Sequence, residues 1–149
     1  MRAAVAVALA FLLLAAGCGG DTKAKNEYVA AVNKAQADFV AVVDDSQSRL
    51  GDNADNQFTA TELARIELAA ATVVRELRRI KPPSNVRTLH TSLVREAQGL
   101  VAAFRKAADA YKSGEPKRIL AAKVDLTNDV RKANGQLNAT IQALNRKLH

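Results

Sequence analysis

The chain has 149 residues, 48% of them apolar, and 22 Lys and Arg against 15 Asp and Glu give it a formal charge of +7. This length suits a single domain, and the apolar fraction excludes a chain that is disordered by composition. A single cysteine, three prolines and seven glycines exclude an internal disulfide, a cysteine-based metal centre and a collagen-like repeat. Alanine fills 30 positions and favours helices because it has the highest helix propensity.

The N-terminal residues follow a pattern typical of export signals. Met1-Arg2 is a short basic start, and Ala3–Ala16 is an unbroken apolar run of 14 residues. A membrane-spanning helix needs about 20 apolar residues, whereas the apolar region of a signal peptide has about 7–15. The sequence therefore predicts a signal peptide over residues 1–17.

The only cysteine follows directly, in Leu14-Ala15-Ala16-Gly17-Cys18. This segment resembles the lipobox of bacterial lipoproteins, although that family prefers Leu where this chain has Ala15. The resemblance implies a diacylglyceryl group on the Cys18 thiol, cleavage just before Cys18 and, often, acylation of the new amino group. It implies an extracytoplasmic protein that is anchored to the cell membrane by lipid. The alternatives are an uncleaved anchor or an ordinary secretory signal with an incidental cysteine.

The residue after Cys18 and the overall composition bear on which membrane would carry the anchor. In Gram-negative bacteria the lipoprotein family marks retention at the inner membrane with Asp after the cysteine, and here that residue is Gly19. The Ala- and Arg-rich composition resembles that of actinobacterial proteins, which implies the outer face of the plasma membrane.

After a flexible tether at residues 18–23, apolar residues recur at steps of three and four, which is typical of helices with one buried stripe. Four helices are expected, at about 24–50, 59–81, 84–113 and 116–148. The stripes contain Tyr28, Val32, Ala35, Phe39 and Val42, then Leu63, Ile66, Ala70, Val73, Leu77 and Ile80, then Val86, Leu89, Leu93, Ala97, Leu100, Phe104, Ala107 and Tyr111, then Ile119, Leu126, Val130, Ala133, Leu137, Ile141, Leu144 and Leu148. The sequence predicts no strand.

Residues that commonly start and stop helices lie between these segments. Gly51–Asn56 is rich in turn residues, and Thr59 with Glu62 has the spacing of a capping box. Pro82-Pro83 is expected to stop the second helix, and Ser84 to cap the third. Ser113-Gly114 is expected to end the third helix, and Pro116 suits the first turn of the fourth. Asn134-Gly135 is a signal for a kink or break within the fourth.

Short loops between long helices predict an all-α fold, an antiparallel up-down-up-down four-helix bundle over residues 24–149. The alternative is a three-helix bundle with the first segment partly detached. The segment Leu77–His90 resembles a helix–Pro-Pro–helix junction of small uncharacterised exported bacterial proteins, which implies a fold and no function. In that junction His90 is expected to cap or brace the reversal, as a boundary residue with a polar partner.

In this fold a lipid at Cys18 would gather basic residues near the membrane, where each contributes about 1 kcal/mol against anionic lipid. The expected contacts are Lys23, Lys25, Arg75, Arg78, Arg79, Lys81, Arg87, Arg146 and Lys147. The alternative explanation is that basic residues favour helix C-termini. Without residues 1–17 the formal charge is +6, which also suits an anionic wall polymer. Nucleic acid is not expected, because no aromatic residues are interleaved with the basic ones.

The motifs of catalysis and of cofactor binding are missing from the sequence. It has no Glu-x-x-His pair, no second histidine suited to haem, no calcium loop and no nucleophile elbow, and Glu62, Glu67 and Glu76 are expected on a solvated face. No catalytic residue, metal or cofactor is therefore predicted. The expected function is a non-enzymatic binding or scaffolding module of the cell envelope with an unknown protein partner. The alternative is a small-ligand or metal carrier or sensor that uses the bundle interior near His90.

Overall fold

The structure, a computed structural model, describes residues 22–51 and 54–148. The expected signal peptide, Cys18 and the first part of the tether lie outside the described residues, as do Asp52, Asn53 and His149. The elements are α1 (Thr22–Arg49), α2 (Asn56–Arg79), a 3₁₀ turn (Ser84–Val86), α3 (Arg87–Ser113) and α4 (Pro116–Leu148). The all-α prediction is confirmed, and the described parts of the chain contain no strand.

Three helix starts differ from the sequence expectations. Helix α1 begins at Thr22, so the last two residues of the expected tether are helical. Helix α2 begins at Asn56 because the Asp55 carboxylate accepts a hydrogen bond from the Phe58 amide at 2.7 Å, so the predicted capping box at Thr59 is wrong. The predicted cap at Ser84 is also wrong, because Ser84 opens the 3₁₀ turn and α3 starts at Arg87.

Two glycines have contrasting conformations. Gly114 ends α3 in the left-handed region at φ 70°, and its amide donates to the Tyr111 carbonyl at 3.1 Å. Gly135 lies inside α4, which continues through Asn134-Gly135 without a break. A Cβ added at either glycine would meet no atom within 4 Å. The two positions therefore differ in backbone conformation and not in the space available for a side chain.

The buried side chains of all four helices form one hydrophobic core. Helix α3 packs against both α2 and α4, and α1 packs mainly on α2. Helix α1 contributes Tyr28, Val29, Val32, Phe39 and Val43 to this core, so it belongs to the bundle. The predicted stripes are largely buried, although Val43 replaces the expected Val42, which is half-buried. None of the described helices is long and apolar enough to span a bilayer.

Alanine at the two glycine positions is expected to change stability in opposite directions. Gly114→Ala places a Cβ in a left-handed conformation and should destabilise the fold by about 1 kcal/mol. Gly135→Ala should stabilise it by about 0.5–1 kcal/mol, because alanine loses less backbone entropy within a helix. Urea unfolding of both variants and the parent chain checks this. Changes of the same sign would contradict either the left-handed stop or the continuous α4.

Candidate functional site

A buried polar pair joins α1 to α3. The Tyr28 hydroxyl lies 3.2 Å from Nδ1 of His90, and the two rings meet edge to face with centroids 5.6 Å apart. Tyr28 is 2% exposed and His90 is 7% exposed. His90 thus has the polar partner expected for it, but it lies in the interior and not at the boundary of the core.

Burial keeps both partners of this pair uncharged near neutral pH. It lowers the pKa of His90, while a hydrogen bond to the Leu77 backbone acts in the opposite direction. It also raises the pKa of Tyr28 to about 12. In the tautomer that suits the Tyr28 contact, Nδ1 accepts the Tyr28 proton and Nε2 carries the ring's own hydrogen. His90 therefore links the ends of three helices as a neutral group.

The predicted basic contacts lie around this pair. Tyr28 lies near the start of α1, Leu77 near the end of α2 and His90 near the start of α3. The Asn85 side chain, just before α3, donates to the Lys147 carbonyl in the last turn of α4 at 2.8 Å. We call this region the Tyr28 end. It holds Lys23, Lys25, Arg78, Arg79, Lys81, Arg87, Arg146 and Lys147, and Arg75 lies one turn further back along α2.

Most of these nine cations have no acidic partner. Lys23 lies 3.9 Å from the Glu27 carboxylate. For the other eight, no carboxylate of residues 22–51 or 54–148 lies within 4.0 Å. The Tyr28 end therefore carries an excess of positive charge that faces solvent.

A groove between α2 and α3 adds two residues that the sequence analysis missed. It has a volume of about 340 Å³ and is lined by Arg75 and Arg78 of α2 and by Gln98 and Arg105 of α3. Its remaining lining is apolar: Ala71, Val74, Val101 and Ala102. We call it the α2/α3 groove. Gln98 and Arg105 have helical spacing on α3, but only the packing of the two helices brings them to Arg75 and Arg78.

The arginines of this groove have different partners. Arg105 makes a two-pronged contact with one oxygen of Glu67, at 2.8 Å from Nε and 2.7 Å from Nη2. Arg75 donates to the Thr72 hydroxyl at 2.7 Å. The charge of Arg105 is thus compensated, whereas those of Arg75 and Arg78 are not.

A second charged cluster joins α1 to α2 and is balanced. Glu62 is 1% exposed, with its carboxylate 3.0 Å from Arg49 and 3.6 Å from Arg65. Arg65 also pairs with Asp45, and this hydrogen bond lowers the pKa of the Asp45 carboxyl. The expectation of a solvated Glu62 is wrong, because Arg49 of α1 reaches across and buries it. Two carboxylates and two guanidiniums make this cluster a link between helices.

One interior cavity that the described helices enclose is small for an organic ligand. An apolar cavity of about 50 Å³ lies among side chains of all four helices, including Val32, Leu77, Leu100 and Ile141. Cavities that hold benzene are about three times larger. Across the described ranges, no group of three or more His, Cys, Asp and Glu residues is placed to hold a metal ion.

Removal of the Tyr28 hydroxyl should destabilise the bundle. In Tyr28→Phe the buried Nδ1 of His90 loses its donor, which costs about 1–3 kcal/mol. Tyr111→Phe is the matched control, because it removes a hydroxyl from the half-buried ring of the only other tyrosine. Urea unfolding at neutral pH measures both variants. Equal losses in the two would show that the Tyr28–His90 bond contributes nothing specific.

Stability should fall as the solution is acidified through about pH 6.5, the ordinary pKa of histidine, and below it. Because the folded pKa of His90 is below its ordinary value of 6.5, the unfolded chain takes up the proton first. The contribution of His90 to stability is therefore fully present above pH 6.5 and is lost as the pH falls through the folded pKa. Burial raises the pKa of Glu96, which acts in the opposite direction, so His90 is isolated by comparison with His90→Phe. Parallel pH profiles for the parent and His90→Phe would contradict this.

No protein-family model matches the chain, and no curated protein or solved structure matches it. The chain's own residues therefore carry the functional interpretation. Those that bear on it are Cys18, the unpaired cations of the Tyr28 end and the arginines of the α2/α3 groove.

Proposed function

We propose that the chain is a lipoprotein, anchored to the outer face of the plasma membrane by lipid on Cys18. In this proposal it acts as a non-enzymatic binding or scaffolding module of the cell envelope. The sequence support is the apolar run Ala3–Ala16, which is too short to span a bilayer, directly followed by the lipobox-like segment that ends at Cys18.

The short distance along the chain between Cys18 and the bundle is the observation that carries this proposal. Helix α1 begins at Thr22, four residues after Cys18, and four residues reach about 14 Å when fully extended. An acylated Cys18 would therefore keep the Tyr28 end near the headgroups. The surface potential of a membrane decays over a Debye length of about 8–10 Å, so these cations would lie within or close to it. Each one near the surface contributes about 1 kcal/mol against anionic lipid.

We infer that the helices alternate in direction, up-down-up-down. In pairs between neighbouring helices, residue numbers rise along one helix as they fall along the other, as antiparallel neighbours require. The pairs are Asp45–Arg65 and Arg49–Glu62 for α1 and α2, Glu67–Arg105 and Leu77–His90 for α2 and α3, and Glu96–Thr140 and Lys106–Asp125 for α3 and α4. This direction keeps the far end of the bundle free for an envelope partner.

Three buried polar residues are held by contacts between helices, which favours a structural over a catalytic role for them. Tyr28 and His90 satisfy each other, and the buried Glu62 is neutralised by Arg49 and Arg65. A carrier of small ligands or metal at His90 draws less support, because the Tyr28 hydroxyl and the Leu77 backbone engage its ring. The exposed polar faces and the unpaired cations remain as the surfaces for partners.

The lipid anchor is tested by the mass of the product isolated from membranes of a bacterium that processes lipoproteins. The full chain should yield a protein that begins at Cys18 and carries diacylglycerol, because cleavage in that family follows lipidation. Cys18→Ala should retain residues 1–17 and carry no lipid. Gly20→Ala, two residues away, is the control and should be processed as the parent chain is. An unlipidated parent product, or one cut elsewhere, would refute the proposal.

A further inference from the structure

We propose that the α2/α3 groove binds the phosphate of an anionic phospholipid headgroup, so that the bundle rests on the membrane along this flank. The inference deepens the proposed function and rests on it, because the tether is what brings the groove to the lipid.

The donors of the groove suit a phosphate. Arg75 and Arg78 are three residues apart on α2 and therefore lie on one side of it, opposite Gln98 of α3. Neither arginine has a carboxylate within 4.0 Å in the part of the chain that the structure describes. A guanidinium presents a planar fork of N–H donors that matches two phosphate oxygens, and the Gln98 amide adds a neutral donor.

The distribution of charge favours an anion at the Arg75 side of the groove. Glu67 neutralises Arg105 at one side, and none of the residues that line the groove is acidic. Two uncompensated guanidiniums thus lie next to a neutral ion pair. An anion entering there meets attraction without a competing carboxylate among the lining residues.

The floor of the groove favours a lipid headgroup over a bare ion. Ala71, Val74, Val101 and Ala102 form an apolar surface beside the arginines. A phosphodiester with a glycerol backbone has an apolar part that can cover this surface, which inorganic phosphate lacks. Contact with low-dielectric groups also strengthens the attraction between guanidinium and phosphate.

The groove is continuous with the basic Tyr28 end. Arg78 is the last residue but one of α2, so the α2 side of the groove reaches that end. On α3 the groove extends from Gln98 to Arg105, which is 18 residues after Arg87, or about 27 Å at 1.5 Å per residue. A bundle lying on this flank brings the groove and the tip to one plane of headgroups. A bundle standing on its tip would leave Arg105 well above the surface.

Chemical protection of arginines tests this geometry in the lipidated protein. The protein is reconstituted in phosphatidylcholine vesicles and in vesicles where phosphatidylglycerol replaces a third of that lipid. Phenylglyoxal modifies accessible guanidiniums, and peptide mass spectrometry gives the rate at each arginine. Phosphatidylglycerol should slow modification of Arg75, Arg78 and Arg105 several-fold. Arg131, exposed on α4, should react at the same rate in both vesicles, as an internal control.

A pair of matched double variants separates site binding from net charge. Arg75→Gln with Arg78→Gln removes two cations from the groove and should abolish the phosphatidylglycerol-dependent protection of Arg105. Arg131→Gln with Lys132→Gln removes two exposed cations from α4 and should leave that protection intact. Equal loss of protection in both double variants would reduce the effect to net charge and overturn the site.

The remaining outcomes distinguish a failure of this inference from a failure of the proposed function. If the protein floats with vesicles and Arg78, Arg79, Arg87 and Arg146 are protected while Arg105 is not, the bundle stands on its tip and the groove proposal fails alone. If the protein carries no lipid and does not float with the vesicles, the proposed function fails as well. Protection of Arg75 and Arg78 by inorganic phosphate in phosphatidylcholine vesicles, equal to that by phosphatidylglycerol, would make the site one for free phosphate and overturn the lipid source.

Discussion

The hydrogen bond between Tyr28 and His90 is the interaction on which the arrangement of charge depends. It joins residues 62 positions apart in the sequence and holds the start of α1 against the start of α3. The same imidazole reaches the Leu77 backbone near the end of α2, so one neutral ring connects three helices. Because α1 packs mainly on α2, this bond is a specific link between α1 and the rest of the bundle. The cations carried by those helix ends are neighbours as a consequence.

Charged side chains are paired with each other in one part of the molecule and lack charged partners in another. In the cluster around Glu62, two arginines cover and neutralise the carboxylates, so that α1 and α2 are held by a balanced network. At the Tyr28 end and one turn behind it, eight of the nine cations identified from the sequence have no carboxylate partner among the described residues. Cations near helix C-termini are explained in part by the macrodipole, which applies to α2 and α4. It does not explain Lys25 or Arg87, which lie in the first turns of α1 and α3.

Hydrophobic periodicity was enough to predict the four helices, because a stripe such as Leu93, Ala97, Leu100 and Phe104 is buried in any packing that hides one face. The caps were harder, since Asp55 and Thr59 both have suitable side chains and only the fold selects Asp55. The contacts between helices could not be predicted from the sequence. The burial of Glu62 depends on Arg49 of another helix, and the groove depends on Arg105 and Gln98 facing Arg75 and Arg78. The spacing of residues along a helix shows which of them share a face, but not which residues of the neighbouring helix that face contacts.

The buried His90 makes the contact between α1 and α3 depend on a neutral imidazole. Its Nδ1 lies 3.2 Å from the Tyr28 hydroxyl and can accept the hydroxyl proton only while the ring carries no charge. Burial lowers the pKa of His90, so the folded bundle keeps the ring in that neutral form. The unfolded chain takes up the proton more readily, and acid therefore acts against the folded bundle as a whole. The position of the start of α1, and of the cations that it carries, is thus tied to the neutral state of one buried side chain.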